Sequence, residues 1–321
     1  MGIGSERKIN PNSSFFNFSK VVYSKINMKI LVTHDSPDLD GGTAIWLIKR
    51  FLPNWGNAVV KYVPAGERLN PSKTPSLSVV EKTKDDEIIH VDTGMGALDH
   101  HQTSDGGVCG ASLTWDYVRM QSSEFGIQNE KINTRIEAID RIVKVVTDID
   151  HFREVFWPDP AADFQEFSLV NILEGLKVEK PGQNDLYLEF ILTSLDALLH
   201  DFENRIWAED EIKKAKTFET SKGKGIGLET INDQSVKLSQ KLGFAIAVRK
   251  DPRKGYVRVK ARPDSGIDLT KTYEQLKKMD PNATWFLHAS KKMLLNGSVK
   301  NPKMRPSILS LDKLIEVLKQ V

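Results

Sequence analysis

The feature that most constrains the fold is an alternation of short apolar runs with helical patterns, which begins at Met28. We expect strands over residues 28–33, 58–63 and 88–92, because each is a short and mostly apolar run. Between them the sequence predicts a helix over 43–51 and a short helix over 77–82. Short strands separated by helices are typical of a mostly parallel sheet with helices on its faces. The sequence therefore predicts the α/β class.

The remainder of the chain consists of a helical middle region and a region where strands and helices mix. We expect helices over 110–126, 132–149, 164–176 and 186–216. Glycine and lysine residues at 222–227 indicate a break in regular structure. Beyond the helical region the sequence predicts strands over 226–231, 244–248, 256–261 and 284–288, and helices over 269–278 and 311–320. These elements predict a second, smaller α/β domain.

The expected domain organisation follows from these changes in pattern. We expect a disordered N-terminal extension over 1–27, because this stretch has no hydrophobic period and no secretory apolar core. A first domain is then expected over 28–205 and a C-terminal domain over 206–321. The 321 residues are enough for two domains that each bury a core.

Composition excludes several classes of protein. The net charge of +2 gives no argument for non-specific binding to nucleic acid or to a membrane surface. No apolar run reaches the ~18 residues that a membrane span needs. Cys109 is the only cysteine, so an internal disulfide is excluded and a reducing, cytoplasmic location is expected. The sequence leaves open whether the chain is a homodimer.

The loop that follows the first predicted strand carries one histidine and two aspartates. It reads His34-x-x-x-Asp38-x-Asp40 and continues as Gly41-Gly42, which would let the backbone turn sharply into a helix. Open α/β folds place their sites at the carboxyl edge of the sheet, where this loop would lie. Imidazole and carboxylate ligands suit manganese or magnesium, and the absence of a neighbouring cysteine argues against structural zinc.

A second polar group follows the strand predicted over 88–92. Asp92 ends that strand, and Asp99, His100 and His101 come a few residues later. Because the two strands are expected to end at the same sheet edge, their polar residues would meet there. The sequence therefore predicts a metal site at this edge.

The order of these motifs resembles the motif series of the DHH superfamily of phosphoesterases, which includes RecJ-type exonucleases, oligoribonucleases and manganese-dependent pyrophosphatases. The resemblance implies a further acidic ligand at the end of a helix. Asp148-Ile149-Asp150-His151 lies at that place, and we favour Asp150 over Asp148. The first half of the chain would then be the DHH-type metal-binding catalytic domain.

The later part of the chain resembles the melanocyte-proliferating-gene-type family of DHH-like exonucleases. The likeness lies in the segment Trp285-Phe286-Leu287-His288-Ala289-Ser290 and in Asn296-Gly297-Ser298. That family's first motif carries a second histidine, whereas Asp38 and Asp40 match the pyrophosphatases and RecJ-type enzymes. The resemblance implies that residues 206–321 bind substrate.

Carried over residue by residue, the resemblance implies a site for two Mn²⁺ ions, with Mg²⁺ as the alternative. His34 and Asp38 would bind one ion, and Asp40, His100 and Asp150 the other, with Asp92 bridging them. Asp99 would accept a hydrogen bond from His100, and His101 would face the phosphate or protonate the leaving oxygen. Candidates for holding substrate are His288, Asn296, Lys291, Lys292 and Arg305, with Lys300 and Lys303 as nearby cations.

The resemblance implies an enzyme, a metal-dependent hydrolase of phosphodiester bonds in RNA or DNA ends or short oligonucleotides, with exonuclease-like activity. Two alternatives stay open: a manganese-dependent, pyrophosphatase-like hydrolase of small phosphoanhydrides, and a catalytically silent nucleotide-binding module. An exonuclease needs aromatic or basic surface to hold a strand, and this requirement distinguishes it from a pyrophosphatase.

Overall fold

The computed structural model describes residues 28–70, 78–126, 129–298 and 301–321. The extension expected over residues 1–27 lies outside these described residues. Within them the chain forms two mixed β-sheets and eight α-helices, which confirms the α/β class. None of the helices found in these ranges is long and apolar enough to cross a membrane.

The first sheet has four strands in the order β2-β1-β4-β3, namely β1 (Met28–His34), β2 (Val59–Val63), β3 (Glu81–Lys82) and β4 (Asp86–His90). Strand β1 lies parallel to both β2 and β4, whereas β3 pairs antiparallel with β4. The helix predicted over 77–82 is therefore wrong at 81–82, and Leu77 lies outside the described residues. A tight turn explains the difference, because Thr83 donates from its backbone N–H to the Asp86 carbonyl and returns the chain as a hairpin.

Five helices share one hydrophobic core with this sheet: α1 (Leu39–Phe51), α2 (Gly110–Gln121), α3 (Glu130–Asp150), α4 (Leu169–Glu179) and α5 (Asn184–Lys213). The core is built around Trp46, Ile139 and Ile191, which are fully buried. Helix α1 begins earlier than predicted, because the Asp38 carboxylate accepts from the Gly41 N–H at 2.9 Å and caps the helix. Gly41 and Gly42 therefore lie inside the first turn instead of in a preceding loop.

Three of the other predicted helices differ from the observed ones by three residues or more at one or both ends. Helix α2 stops at Gln121 and a 3-10 helix follows at Ser123–Gly126. Another 3-10 helix, Asp163–Phe167, precedes α4, because the Ser168 hydroxyl accepts from the backbone N–H of Asn171 and starts a new helix. Helix α5 ends at Lys213, and the residues from 216 onward form a strand.

The second sheet has six strands in the order β5-β6-β7-β8-β10-β9: β5 (Lys216–Thr220), β6 (Gly223–Glu229), β7 (Ile246–Lys250), β8 (Val257–Ala261), β9 (Phe286–Leu287) and β10 (Met293–Asn296). Strands β6 and β7 are parallel, and the other neighbours are antiparallel. The break predicted at 222–227 is wrong, because it is the turn and second strand of the β5-β6 hairpin. Gly223, with φ of +115°, makes that turn possible.

Three helices pack on this sheet: α6 (Gln234–Lys241), α7 (Thr270–Met279) and α8 (Leu311–Leu318). Side chains of Ile246 and Val248 share a core with α7 and α8. Ala247, between them in the strand, packs instead with Val236 of α6. Because alternate residues of a strand face opposite sides, α6 lies on one face and α7 and α8 on the other.

Helix α5 reaches from the first core toward the second sheet. Asn204 of α5 donates to Gln234, and Asn232 donates to the Asn204 carbonyl at 3.0 Å. The boundary predicted between residues 205 and 206 falls inside this helix. The division into two domains stays a prediction.

Candidate metal centre

Three chain segments meet at the carboxyl edge of the first sheet. Strands β1 and β4 are parallel neighbours, so His34, at the end of β1, and Asp92, just beyond β4, come to the same edge. The first turn of α1 contributes Asp38 and Asp40, and the last residue of α3 is Asp150. The polar residues predicted from the two strand ends therefore lie together.

His34 forms one side of the cluster with two carboxylates. Its Nε2 lies 3.3 Å from Asp92 Oδ2 and 3.7 Å from Asp38 Oδ1. Its Nδ1 lies 2.8 Å from the backbone carbonyl of Asp35. That hydrogen bond orients the ring, so Nε2 is the nitrogen that faces the carboxylates.

His100 forms the other side of the cluster. Its Nε2 lies 3.5 Å from Asp92 Oδ1, 3.6 Å from Asp150 Oδ2 and 3.8 Å from Asp40 Oδ2. The two oxygens of the buried Asp92 carboxylate therefore face different imidazoles. Groups that could hold a metal ion lie on both sides, His34 with Asp38 and Asp92, and His100 with Asp150 and His151.

Two buried carboxylate oxygens support this interpretation. Asp92 Oδ1 and Asp150 Oδ2 have no hydrogen-bond partner within the described ranges. A buried polar atom without a partner costs about 1–3 kcal/mol, and more when the group is charged. A divalent cation would satisfy such oxygens, so the residues present fit a bound metal ion.

The pKa values of the two histidines reflect the negative charge of the carboxylates around them. Burial opposes the charged form of His34, but Asp38 and Asp92 outweigh burial and raise its pKa to about 11. Asp92, with help from Asp150 and Asp40 and against burial, raises the pKa of His100 to about 9. The neighbouring carboxylates thus favour the protonated form of both imidazoles.

Asp40 is held differently from the other carboxylates. Its two oxygens accept from the backbone N–H groups of Gly110 and Ala111, both at 2.7 Å, so it caps the N-terminus of α2. Burial, together with the charges of Asp92 and Asp150, holds the pKa of Asp40 well above its ordinary value. Asp40 therefore fixes α2 against the cluster as well as facing His100.

Close packing behind the cluster requires glycine at two positions. A Cβ atom on Gly110 would lie 2.9 Å from Asp40 Oδ2 and 2.9 Å from Asp92 Cβ. A Cβ atom on Gly41 would lie 2.7 Å from Thr33 Oγ1 and 3.2 Å from Asp92 Oδ2. Side chains at either position would displace the carboxylates.

The backbone that carries Asp92 is in a left-handed conformation, with φ of +51°. Its N–H donates to the Leu98 carbonyl at 3.0 Å, which closes the loop. The buried Arg68 donates to the Gly94 carbonyl at 2.5 Å and also ion-pairs with Glu81. Glu81 in turn lies 3.1 Å from Nδ1 of His90, a buried histidine with partners on both ring nitrogens. These contacts hold the loop that carries Asp92. No sequence pattern indicates this role of Arg68.

One expected contact differs in the structure. Asp99 contacts His101 instead of His100: its Oδ1 accepts from the His101 N–H at 3.0 Å and lies 2.8 Å from His101 Nδ1. The reason is that His100 turns its ring toward Asp92 and Asp150. His101 is half exposed, so its Nε2 is available to a ligand.

The segment at residues 148–151 contains two aspartates, and their side chains point in different directions. Asp150 lies beside His100, whereas Asp148 contacts Lys144 at 3.1 Å and Arg153 at 3.2 Å. The structure also brings His151 to this side of the cluster. Its Nε2 lies 2.8 Å from the Val108 carbonyl and 3.8 Å from Asp150 Oδ2. Its position directly after Asp150 was the available signal.

The residues expected to hold substrate are spread over the C-terminal region. His288 is exposed, with Nδ1 2.9 Å from the Ser290 hydroxyl, and Lys291 lies 3.4 Å from Asp268. Lys292 donates to the Ile267 carbonyl at 2.6 Å, and Arg305 is exposed. Lys300 lies outside the described residues, and Lys303 is exposed.

Asn296 does not reach the surface. It is fully buried, and its Nδ2 donates to the carbonyls of Thr284 and Arg305, both at 2.9 Å. Asn296 therefore joins two backbone segments, because its side-chain amide donates a hydrogen bond to a carbonyl of each. Within the described ranges, none of the expected substrate residues hydrogen-bonds or ion-pairs with the metal-centre residues.

Comparison with known proteins adds no assignment. No protein-family model matches the chain, and a search of curated proteins finds no significant match. The resemblance to the DHH superfamily therefore rests on the motif residues alone.

Proposed function

We propose that the chain is a metal-dependent phosphoesterase of the DHH type, with an exonuclease-like action on phosphodiester bonds of nucleic acid ends or short oligonucleotides. The observation that supports it is the placement of Asp92, whose two oxygens face His34 on one side and His100 on the other. Such a carboxylate suits a bridge between two cations. The ordered set of histidines and aspartates around it has the composition that manganese or magnesium prefers.

The ligands divide into two groups in this proposal. His34 and Asp38 would hold one ion, His100 and Asp150 the other, with Asp40 beside the second. Bound Mn²⁺ ions would lower the pKa of a nearby water and neutralise charge on the phosphate. Asp40 and Asp92 are buried, whereas the side chain of Asp38 is half exposed and open to solvent.

His101 is the candidate proton donor. Asp99 holds its Nδ1, which leaves Nε2 directed away from that contact and accessible to a ligand. In the reaction a water gives one proton to solvent while its oxygen forms a bond to phosphorus, the bond from phosphorus to the ester oxygen breaks, and His101 gives its Nε2 proton to that oxygen. Asp99 would keep the ring oriented throughout.

The test is hydrolysis of a 5′-labelled RNA, a DNA oligomer, a dinucleotide and pyrophosphate, each with manganese and with chelator. We expect manganese-dependent cleavage of the oligomers. Asp92→Asn should slow it by at least about 100-fold, the upper end of losses when even a supporting residue of a metal site changes. Asp148→Asn is the matched control, because Asp148 contacts Lys144 and Arg153 instead of the cluster.

The outcomes separate the alternatives. Cleavage of pyrophosphate alone would replace this proposal with the phosphoanhydride hydrolase. Manganese binding without cleavage of any of the four substrates would favour the silent nucleotide-binding module. Equal losses in Asp92→Asn and Asp148→Asn would contradict the ligand assignment.

A further inference from the structure

One face of the second sheet presents an aromatic ring beside basic side chains. In the register of the sheet, Arg258 of β8 pairs with Leu295 of β10, which pairs with Phe286 of β9. Lys260 and Met293 form the next pair on the same face. We call Arg258, Lys260, Phe286, Met293 and Leu295 the aromatic–basic face.

The aromatic–basic face remains accessible beside the part of the sheet that α6 covers. On the same side, α6 packs over Ile226, Leu228 and Ala247 of strands β6 and β7. On the opposite side, α7 and α8 cover the sheet. Phe286 is 48% exposed, and the other four side chains are partly exposed. A large aromatic ring left open on a sheet is available to stack with a planar ligand.

The charges of the aromatic–basic face favour an anion. Lys260 has no ion pair within the described ranges, and Lys237 of α6 lies close to it. Burial, and then the charges of Arg258 and Lys237, lower the pKa of Lys260, as expected where cations are grouped. Arg258 and its strand neighbour Arg249 both contact a single carboxylate, that of Asp233. An anionic ligand would relieve this excess.

We propose that the aromatic–basic face binds single-stranded nucleic acid, with a base stacked on Phe286 and phosphates held by Arg258 and Lys260. The combination decides between ligands, because single strands offer both an exposed base and a regular series of phosphates. Duplex DNA hides its bases, and pyrophosphate has none. That the strand is a substrate rests on the proposed function, whereas the binding itself does not.

The test measures fluorescence anisotropy of a labelled single strand of about twelve nucleotides, a usual span for such sites. The full chain is titrated with chelator present, so cleavage plays no part. Phe286→Ala should weaken binding about 10-fold, because one base–aromatic stack contributes about 1–3 kcal/mol. Lys260→Gln should reduce the slope of log affinity against log salt by about 0.7, the value for one phosphate contact.

Matched controls remove the same side chains elsewhere. Phe167→Ala takes away a phenylalanine that is 84% exposed outside the sheet, and Lys313→Gln takes away an exposed lysine on α8. Both should bind the strand as the unchanged protein does. Circular dichroism of each variant would verify that the fold is retained.

Three results would overturn the proposal. They are unchanged affinity in both Phe286→Ala and Lys260→Gln, equal affinity for duplex and single strand, and displacement of the strand by a polyglutamate peptide at equal charge. Strand binding through this face without metal-dependent cleavage would leave the binding proposal standing and contradict the proposed function. Cleavage that Asp92→Asn abolishes, with binding unaffected by both Phe286→Ala and Lys260→Gln, would do the reverse.

Discussion

The buried Arg68 offers a sharp test of how the Asp92 loop is held. Its guanidinium ion-pairs with Glu81 and donates to the Gly94 carbonyl, and its side chain is 7% exposed. Arg68→Met would leave the Glu81 carboxylate without its cation and the Gly94 carbonyl without that donor. Breaking a buried ion pair from one side costs about 3–5 kcal/mol. We therefore expect the free energy of unfolding to fall by that amount.

Arg50 provides the matched comparison. It forms a two-point pair with Asp196 that resembles the Arg68 pair in chemistry, but the two side chains are 51% and 38% exposed. Exposed pairs contribute about 0.2–1 kcal/mol, so Arg50→Met should cost far less. Urea unfolding of both variants, without metal, gives the two values. A second readout is manganese affinity, which should fall in Arg68→Met alone because Gly94 adjoins the Asp92 loop.

Equal destabilisation in Arg68→Met and Arg50→Met would refute the reasoning that burial decides the cost. The double variant Arg68→Met with Glu81→Leu checks the cause. Since it removes the unpaired carboxylate, it should recover part of the lost stability. No recovery would show that the loss comes from packing and not from the isolated charge.

Two other predictions concern two helix glycines and the release of protons at the metal centre. Gly42→Ala should destabilise the fold by about 1–3 kcal/mol, because its Cβ would lie 2.6 Å from Ile191 Cδ1. A Cβ atom on Gly175 in α4 would meet open space, so Gly175→Ala should stabilise the fold by about 0.5–1 kcal/mol. Urea unfolding measures both variants. A change of the same sign in the two free energies of unfolding would contradict the packing argument. Manganese needs neutral imidazoles, so binding should release protons from His34 and His100 and tighten as pH rises through about 9 toward about 11. Calorimetry in two buffers of different ionisation enthalpy measures the number of protons released. Manganese binding without proton release would contradict this prediction.

The first sheet and the cluster at its edge were the parts most open to prediction. Apolar runs identified β1, β2 and β4, and the polar residues directly after β1 and β4 had to meet once those strands lay parallel. The pattern is local at each position, so short-range reasoning was enough. The pairing of Asp99 with His101 was not accessible in this way, because it depends on the direction in which His100 turns its ring.

The misassigned elements share a physical cause. The strand pair β5 and β6 contains lysines, glycines and threonines with few large apolar residues, so its composition indicates a loop. What makes it a sheet is its neighbours: Phe218 lies over Gly225, and Ile315 of α8 packs against Gly227, where a Cβ atom would lie within 2.6 Å of that side chain. Glycine here makes room for contacts from residues far along the chain. The sequence pattern at such positions indicates a break in regular structure, because their role depends on side chains that pack against them from elsewhere in the chain. The same argument applies to Arg68, whose function depends on Glu81 and Gly94 and not on its own surroundings in the sequence.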